Sequence, residues 1–324
     1  MMYERQLIGL QMRVARLERM GSGLIPLQGV DLSGQDLSGK DFSNADLTGA
    51  DLHGAQMDNI LFVGSVLDGA NMERGHIWGA DFRGASLDKA KMANIDARGT
   101  DFLMAKMTGL NAWAGNFTSG KFTDANLSGS SFINATLWGA QMLTTNLSNT
   151  DLTSAVMEMA NMARANLTGA TLKKCNLMSA NLSAAVLDGV QAEDVIMTDA
   201  RLVAASFKAA NLKEASMTRV QAASAVFEGA ILTQAWLSYG GFPHSHMKRA
   251  DLSHAQLEGA DFRYADLEGV NFEGANLKDA ILQSANMRNA NVSNAYLVGA
   301  RYNAQTKLPS TITQAQLKHM ILVP

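Results

Sequence analysis

The chain has 324 residues, a net charge of -3 at pH 7 and a single cysteine, Cys175. A charge so close to zero provides no basic field, so we expect no direct nucleic-acid binding. One cysteine cannot form an intramolecular disulfide, which indicates a reducing compartment. No run of about 18 apolar residues predicts a membrane span. We therefore expect a protein of the cytoplasm or of a virion or similar assembly.

Residues 1–20 have the spacing of a short helix, with no continuous apolar run that would indicate a signal peptide. Apolar residues recur there in the a and d positions of a coiled coil, and two residues of opposite charge fall at g and e. This predicts an oligomerisation seam; the alternatives are a helix that caps the following repeats and a basic helix on a membrane surface. The seam consists of Leu7, Leu10, Val14 and Leu17, with Arg13 and Glu18 as the charged pair.

Residues 21–24 form a glycine-containing linker, and a strict five-residue repeat follows over residues 25–302. From Leu27 to Tyr302 every fifth residue, called position i here, is large and apolar at all but four of 56 sites. The residue two places earlier, at i−2, is alanine at 34 of these sites. A period of five fits neither a helix nor a strand, so the repeat predicts an architecture of its own.

Two inward positions in every repeat imply a corner in every repeat, and four corners close a square. The repeat then makes about 14 coils, which form a rod about 65 Å long at the spacing of neighbouring strands.

The volumes at i and i−2 compensate each other. Alanine occupies position i at Ala97, Ala112, Ala192 and Ala222. In those repeats the position i−2 is filled by a large side chain: Ile95, Leu110, Val190 and Val220. Close-packed interiors require such compensation. Both positions are therefore predicted to face one core.

The repeat resembles the pentapeptide-repeat family, whose motif is approximately A-(D/N)-L-x-x. It occurs here as Ala45-Asp46-Leu47-Thr48-Gly49 and Ala125-Asn126-Leu127-Ser128-Gly129, and the resemblance extends from Leu27 to Tyr302. It implies an all-β fold, a right-handed quadrilateral parallel β-helix.

Residues 303–324 no longer follow the repeat and are predicted to cap the rod. Thr311 or Thr313 can N-cap a short helix through Gln314 and Leu317. The apolar residues Leu317, Met320, Ile321 and Leu322 are expected to close the last coil.

We expect neither catalysis nor a cofactor nor a metal site. The sequence contains no phosphate-binding loop and no metal-ligand spacing, and Cys175 occupies an inward i−2 position. His244, His246 and His254 fall on different sides of the square. The segment 239–247 replaces alanine and Asp/Asn by glycine and contains Pro243, which predicts a local bend or bulge.

Residues that are four repeats apart, one full coil, lie on the same side of the square. Outward apolar residues collect on two neighbouring sides. This clustering predicts a protein-binding surface. The candidate partner face contains Trp78, Trp138, Met159, Met178, Trp236, Tyr239 and Tyr296. The second apolar face contains Leu61, Val63, Leu103, Met104, Leu143 and Val203.

These features favour a non-enzymatic rod that binds proteins as a scaffold and is joined or anchored through residues 1–20. Two alternatives stay open. One is a fibre-like protein of a virion or appendage. The other, implied by the resemblance, is a DNA mimic that inhibits type II topoisomerases such as gyrase. The weak net charge and the basic residues after 280 do not provide the continuous negative track that a DNA mimic needs.

Overall fold

The computed structural model describes residues 23–324, so the seam predicted for residues 1–20 lies outside the described part. Regular elements are few and short. They are β1 (Ile25–Pro26), β2 (Ala45–Asp46), β3 (Arg301–Tyr302), α1 (Gln314–His319) and β4 (Ile321–Leu322). Strands β1 and β2 pair in parallel, and so do β3 and β4.

Single-residue parallel bridges connect the chain between these strands. Each joins the residue before position i to the equivalent residue four repeats further on, from Asp31 with Asp51 to Ile281 with Arg301. The N–H of each i residue from Leu27 to Met287 donates to the next coil, as Leu32 does to the carbonyl of Asp51 at 2.7 Å. Because this register continues without interruption, the chain advances by one four-sided coil for every four repeats.

Both inward positions are buried. Along one side, the rings of Phe42, Phe62, Phe82, Phe102 and Phe122 stack in one column with centroids 4.9 to 5.7 Å apart. The four alanines at position i and their large neighbours at i−2 are at most 1% exposed. The predicted shared core is therefore present in the structure. Its small and large positions are close-packed because one position supplies the volume that the other lacks.

The corners have a conformation that the sequence only partly indicated. The residue at i+2 has a positive φ in all 55 repeats from Gly29 to Gly299, and 35 of these residues are not glycine. The carbonyl of i accepts the N–H of i+3, as in Ala50 to Leu47 at 2.9 Å. This is the arrangement of a type II turn, which requires a positive φ at its third residue.

Asp and Asn at i−1 hold the next corner. The Oδ1 of Asp31 accepts the backbone N–H of Ser33 at 3.0 Å, and that of Asn146 accepts the N–H of Ser148 at 3.1 Å. These side chains satisfy a donor that the ladder does not use, which explains the abundance of Asp and Asn at this position.

The bend or bulge expected around Pro243 is absent, and that prediction was wrong. Gly241 pairs with both Gln221 and Asp261 in the ordinary register. Pro243 occupies the i+1 position, whose N–H elsewhere donates to the i−1 side chain, as Arg263 does to Asp261. In this repeat glycine has no acceptor side chain and proline has no donor, so nothing is left unpaired.

Helix α1 lies over the last coil. Thr313 is its N-cap, with a capping box to Gln316, and Leu317 and Met320 pack against the core. The register lengthens by one position where Asn286 pairs with Lys307. Ile321 and Leu322 do not close the core as expected; they form β4 beside β3, with exposed side chains.

No helix within residues 23–324 is both long enough and apolar enough to cross a membrane.

Candidate interaction surface

The ladder determines which side chains share a side of the rod. Positions i−1, i+1 and i+2 point outward, and they recur on the same side once in every coil. We call the side built on Leu37, Met57 and Ile77 the tryptophan face. The neighbouring side, built on Phe42 and Phe62, is the leucine face.

The tryptophan face presents all the apolar residues predicted for it. Their exposed fractions range from 39% for Met178 to 61% for Tyr239. An exposure of this size is a cost in water unless another surface covers it. The members are Trp78, Trp138, Met159, Met178, Trp236, Tyr239 and Tyr296.

The structure brings only some of these residues together. Trp138, Met159 and Met178 lie on three successive coils, and the N–H of Met159 donates to the carbonyl of Met178 at 3.0 Å. Trp236 and Tyr239 form a second group further along. Trp78 and Tyr296 are each three coils from the nearest of these tryptophans.

Two further residues extend the central group, and sequence reasoning did not include them. Val156 and Ile196 both occupy the i−1 position of the tryptophan face, and Ile196 is exposed. The spacing of one coil alone could have identified both. With them, apolar side chains follow one another on every coil from Trp138 to Ile196.

Charged side chains beside this group have hydrogen-bond partners on the same face. Arg219 donates to both carboxylate oxygens of Asp199 at 2.7 Å, which lowers the pKa of that carboxyl. Oε1 of Glu158 accepts from the amide of Asn176 at 2.5 Å. The charge of Asp199 is therefore neutralised by Arg219, whereas Glu158 has a hydrogen-bond donor but no cationic partner among residues 23–324.

The leucine face is less continuous. Leu61, Met104 and Leu143 are exposed, but Val63, Leu103 and Val203 are half-buried. Ion pairs interrupt the series, with Arg83 bound to Asp81 at 2.7 Å and Lys121 3.5 Å from Asp101. This side therefore carries separate apolar residues, not one patch.

Other sides of the rod show scattered apolar residues. Trp113 and Ile231 are exposed on the side opposite the leucine face, and Val186 on the side opposite the tryptophan face. The rings of His244 and Tyr264 stack at 4.9 Å on the corner that follows the leucine face. Single exposed apolar residues are ordinary on protein surfaces.

Residues 23–324 contain no group of three His, Cys, Asp or Glu side chains placed to hold a metal. Cys175 is fully buried, and burial raises the pKa of its thiol. The thiol therefore stays protonated and unreactive at neutral pH.

A groove of about 530 Å³ lies on the side opposite the tryptophan face, lined by Glu228, Lys248, Arg249 and Glu268 among others. Its Lys248 ammonium lies 3.1 Å from Glu268 and 3.4 Å from Asp266. These partners neutralise that ammonium, so the groove does not present it as a free cation.

Comparison with known protein families identifies the family of this chain. The family model for pentapeptide repeats matches eight times, over residues 27–64, 65–102, 116–142, 144–173, 160–199, 200–238, 245–279 and 265–301. These matches cover most of the chain. The chain belongs to the pentapeptide repeat family. Members of this family fold as right-handed β-helices, in agreement with the ladder described above.

Solved structures include distant relatives. HetL, a pentapeptide repeat protein involved in heterocyst differentiation regulation from Nostoc sp. strain PCC 7120, is 20% identical over 89% of this chain and 92% of its own, with a TM-score of 0.24. Full-length QnrB1, a plasmid-mediated fluoroquinolone resistance protein, is 13% identical over 66% and 94%, with a TM-score of 0.31.

Tailspike protein 3 of bacteriophage CBA120 is 12% identical over 94% of this chain and 54% of its own, with a TM-score of 0.26. No curated protein matches the chain. These low identities concern the fold alone.

Proposed function

We propose that the protein is a non-enzymatic, rigid scaffold of four-sided coils that binds other proteins through its tryptophan face. The observation that carries the proposal is the run of exposed apolar side chains from Trp138 to Ile196, on successive coils of one side. Aromatic and methionine side chains are enriched at protein interfaces, whereas isolated charges are depleted there.

The rod provides a suitable support for such a surface. Consecutive coils are bonded directly and no long loop interrupts residues 25–302. Side chains on one face are therefore held at fixed separations, and binding costs little conformational entropy of the backbone.

The test compares two matched variants. Trp138→Ser together with Trp236→Ser should abolish binding of the partner, while Trp113→Ser, which removes an exposed tryptophan from another side, should not. Affinity capture from a lysate of the source cells, followed by mass spectrometry, measures both. Equal thermal stability of the variants is the control for folding. Recovery of the same proteins by all three forms would contradict the proposal.

Oligomerisation or anchoring through residues 1–20 is a second part of the proposal. Deleting these residues should reduce the molar mass in light scattering to that of one chain, because the Leu7, Leu10, Val14 and Leu17 seam is removed. An unchanged mass would contradict this part and leave the tryptophan face unaffected.

The DNA-mimic and fibre alternatives rank second. Many carboxylates of the described rod are paired with cations, as Asp81, Asp88 and Asp96 are with Arg83, Lys106 and Arg98. Such pairing weakens the negative field that a mimic of duplex DNA requires. A gyrase supercoiling assay distinguishes the DNA mimic from the protein-binding scaffold, and inhibition at micromolar protein would favour the DNA mimic.

A further inference from the structure

The methionines of residues 23–324 fall into two classes by exposure. Eleven of these fifteen methionines occupy position i in the core and are at most 1% exposed, and Met320 is 8% exposed. The other three are exposed: Met104 at 67% on the leucine face, and Met159 at 58% and Met178 at 39% on the tryptophan face. A reagent in water therefore reaches these three thioethers far more readily than the others.

Met159 and Met178 are neighbours within the apolar run of the tryptophan face. Met159 occupies a corner with a φ of 58°, and its N–H donates to the carbonyl of Met178 on the next coil at 3.0 Å. Met104 has no such apolar neighbour, because the same corner of the next coil holds Asp124. A change of polarity at Met159 and Met178 therefore alters the apolar run, whereas the same change at Met104 does not.

A thioether reacts with hydrogen peroxide by a two-electron transfer. A lone pair on Sδ attacks one peroxide oxygen, the O–O bond breaks as the S–O bond forms, and the departing oxygen takes up a proton and leaves as water. The sulfur is oxidised to a sulfoxide and the peroxide is reduced. The product is a polar side chain that accepts hydrogen bonds, where an apolar one stood before.

The only cysteine of the chain does not compete for the oxidant. Cys175 is fully buried, and burial raises the pKa of its thiol. Peroxide reacts with the thiolate, which this thiol does not form at neutral pH. Among residues 23–324, the three exposed methionines are therefore the sulfur atoms open to oxidation.

We propose that Met159 and Met178 form a peroxide-sensitive modification site, whose oxidation to sulfoxide prevents protein binding at the tryptophan face and whose reduction restores it. The inference rests on the function proposed above. A partner that covers both side chains would bury two sulfoxide oxygens without donors, which is unfavourable. Complete reversal needs methionine sulfoxide reductases A and B together, because each reduces one of the two sulfoxide epimers.

Peptide mass spectrometry after brief treatment with hydrogen peroxide at pH 7 tests the reactivity of the site. We expect Met159 and Met178 to gain one oxygen faster than Met157, which is fully buried two residues before Met159. Equal rates at Met157 and Met159 would overturn the proposal, because exposure would then not select the site.

Retention on a phenyl resin measures the apolar surface without a partner. In a Met104→Leu background, peroxide should shorten the retention, because the remaining exposed thioethers become polar. Adding Met159→Leu and Met178→Leu, which keep an apolar side chain but remove the sulfur, should abolish most of this shift. Unchanged thermal unfolding after treatment shows that the core stays intact. Equal shifts in the two proteins would overturn the proposal.

The proteins whose capture depends on Trp138 and Trp236 connect the site to the proposed function. Peroxide should reduce their captured amount at least about tenfold, and treatment with both reductases should restore it. Met159→Leu with Met178→Leu should preserve capture after peroxide, whereas Met104→Leu should not.

The failure of this inference is distinguishable from failure of the proposed function. Undiminished capture by a protein oxidised at both Met159 and Met178 would overturn the modification site alone. Equal loss of capture with and without the two leucine substitutions would also overturn it. If the untreated protein captures nothing that depends on Trp138 and Trp236, the proposed function fails and the regulation fails with it.

Discussion

At the scale of the residue, the positive φ at each corner restricts which side chains can occupy position i+2 without an energetic cost. A positive φ costs an L-residue about 1–2 kcal/mol relative to glycine, yet 35 corners contain other residues. Where a bulky i+2 side chain leans over the next coil, glycine often occupies the equivalent corner of that coil. The ring of Tyr239 lies over Gly259 in this way, and that of His254 over Gly274.

Substitutions at Gly259 and Gly129 allow the energetic cost of the positive φ to be distinguished from the cost of a steric contact with a neighbouring side chain. Their φ values are +66° and +67°, but a Cβ at Gly259 would lie 2.7 Å from the Tyr239 ring, while one at Gly129 would meet nothing within 4 Å. Gly129→Ala should destabilise by about 1 kcal/mol. Gly259→Ala should cost more, or displace Tyr239, and chemical unfolding with tyrosine fluorescence measures both. Equal losses would contradict the contact.

Buried hydroxyls at i−2 provide a second comparison. Ser130 accepts the N–H of Leu110 at 3.0 Å and donates to the carbonyl of Met107 at 2.7 Å, so it bridges a corner. The hydroxyl of Ser245 is buried without a partner among the described residues. Ser130→Ala should destabilise by about 1–3 kcal/mol, whereas Ser245→Ala should be neutral or stabilising. Urea unfolding measures both; a loss at Ser245 as large as at Ser130 would show a missed hydrogen bond.

At the scale of the element, the unit is one five-residue side, and its inward volume is fixed. Ala165 is fully buried at i−2, with Leu167 buried at the following i position. Ala165→Leu should destabilise by about 1–3 kcal/mol through overpacking. Ala163→Leu, on the outward side of the neighbouring repeat, is the control and should change stability by less than about 0.5 kcal/mol. Equal effects would mean that the interior can expand.

The period of five was sufficient to predict which side chains face the core and which share a side, because both follow from the spacing alone. The positive φ of residues such as Thr144 could not be predicted, since the repeat imposes it against local preference. Strand β4 was missed because a two-residue strand after a helix has no periodicity to read. Exposure of Val63 and Leu103 also depends on neighbouring side chains that spacing does not describe.

At the scale of the whole molecule, carboxylates along the rod contribute to stability at neutral pH. Hydrogen bonds from Arg83 lower the pKa of Asp81, and those from Arg98 lower the pKa of Asp96. The unfolded chain therefore binds protons more readily than the folded one, and stability falls as the pH drops below about 4 towards the folded pKa values.

We expect the urea midpoint to be lower at pH 3 than at pH 7, with little change between pH 6 and 8. A double substitution, Asp81→Asn with Asp96→Asn, should reduce the difference between the acid and neutral midpoints. A midpoint independent of pH over the whole range would contradict the contribution of these carboxylates.

The four-repeat register has a consequence for how such a protein can change during evolution. Gain or loss of a complete coil lengthens or shortens the rod and leaves every later residue on its original side. Gain or loss of a single repeat keeps the fold intact but turns everything downstream by a quarter revolution. One repeat removed between Ile196 and Trp236 would carry Trp236 away from Trp138 without exposing the core. Small duplications can therefore change which surface the protein presents while the inward positions stay inward.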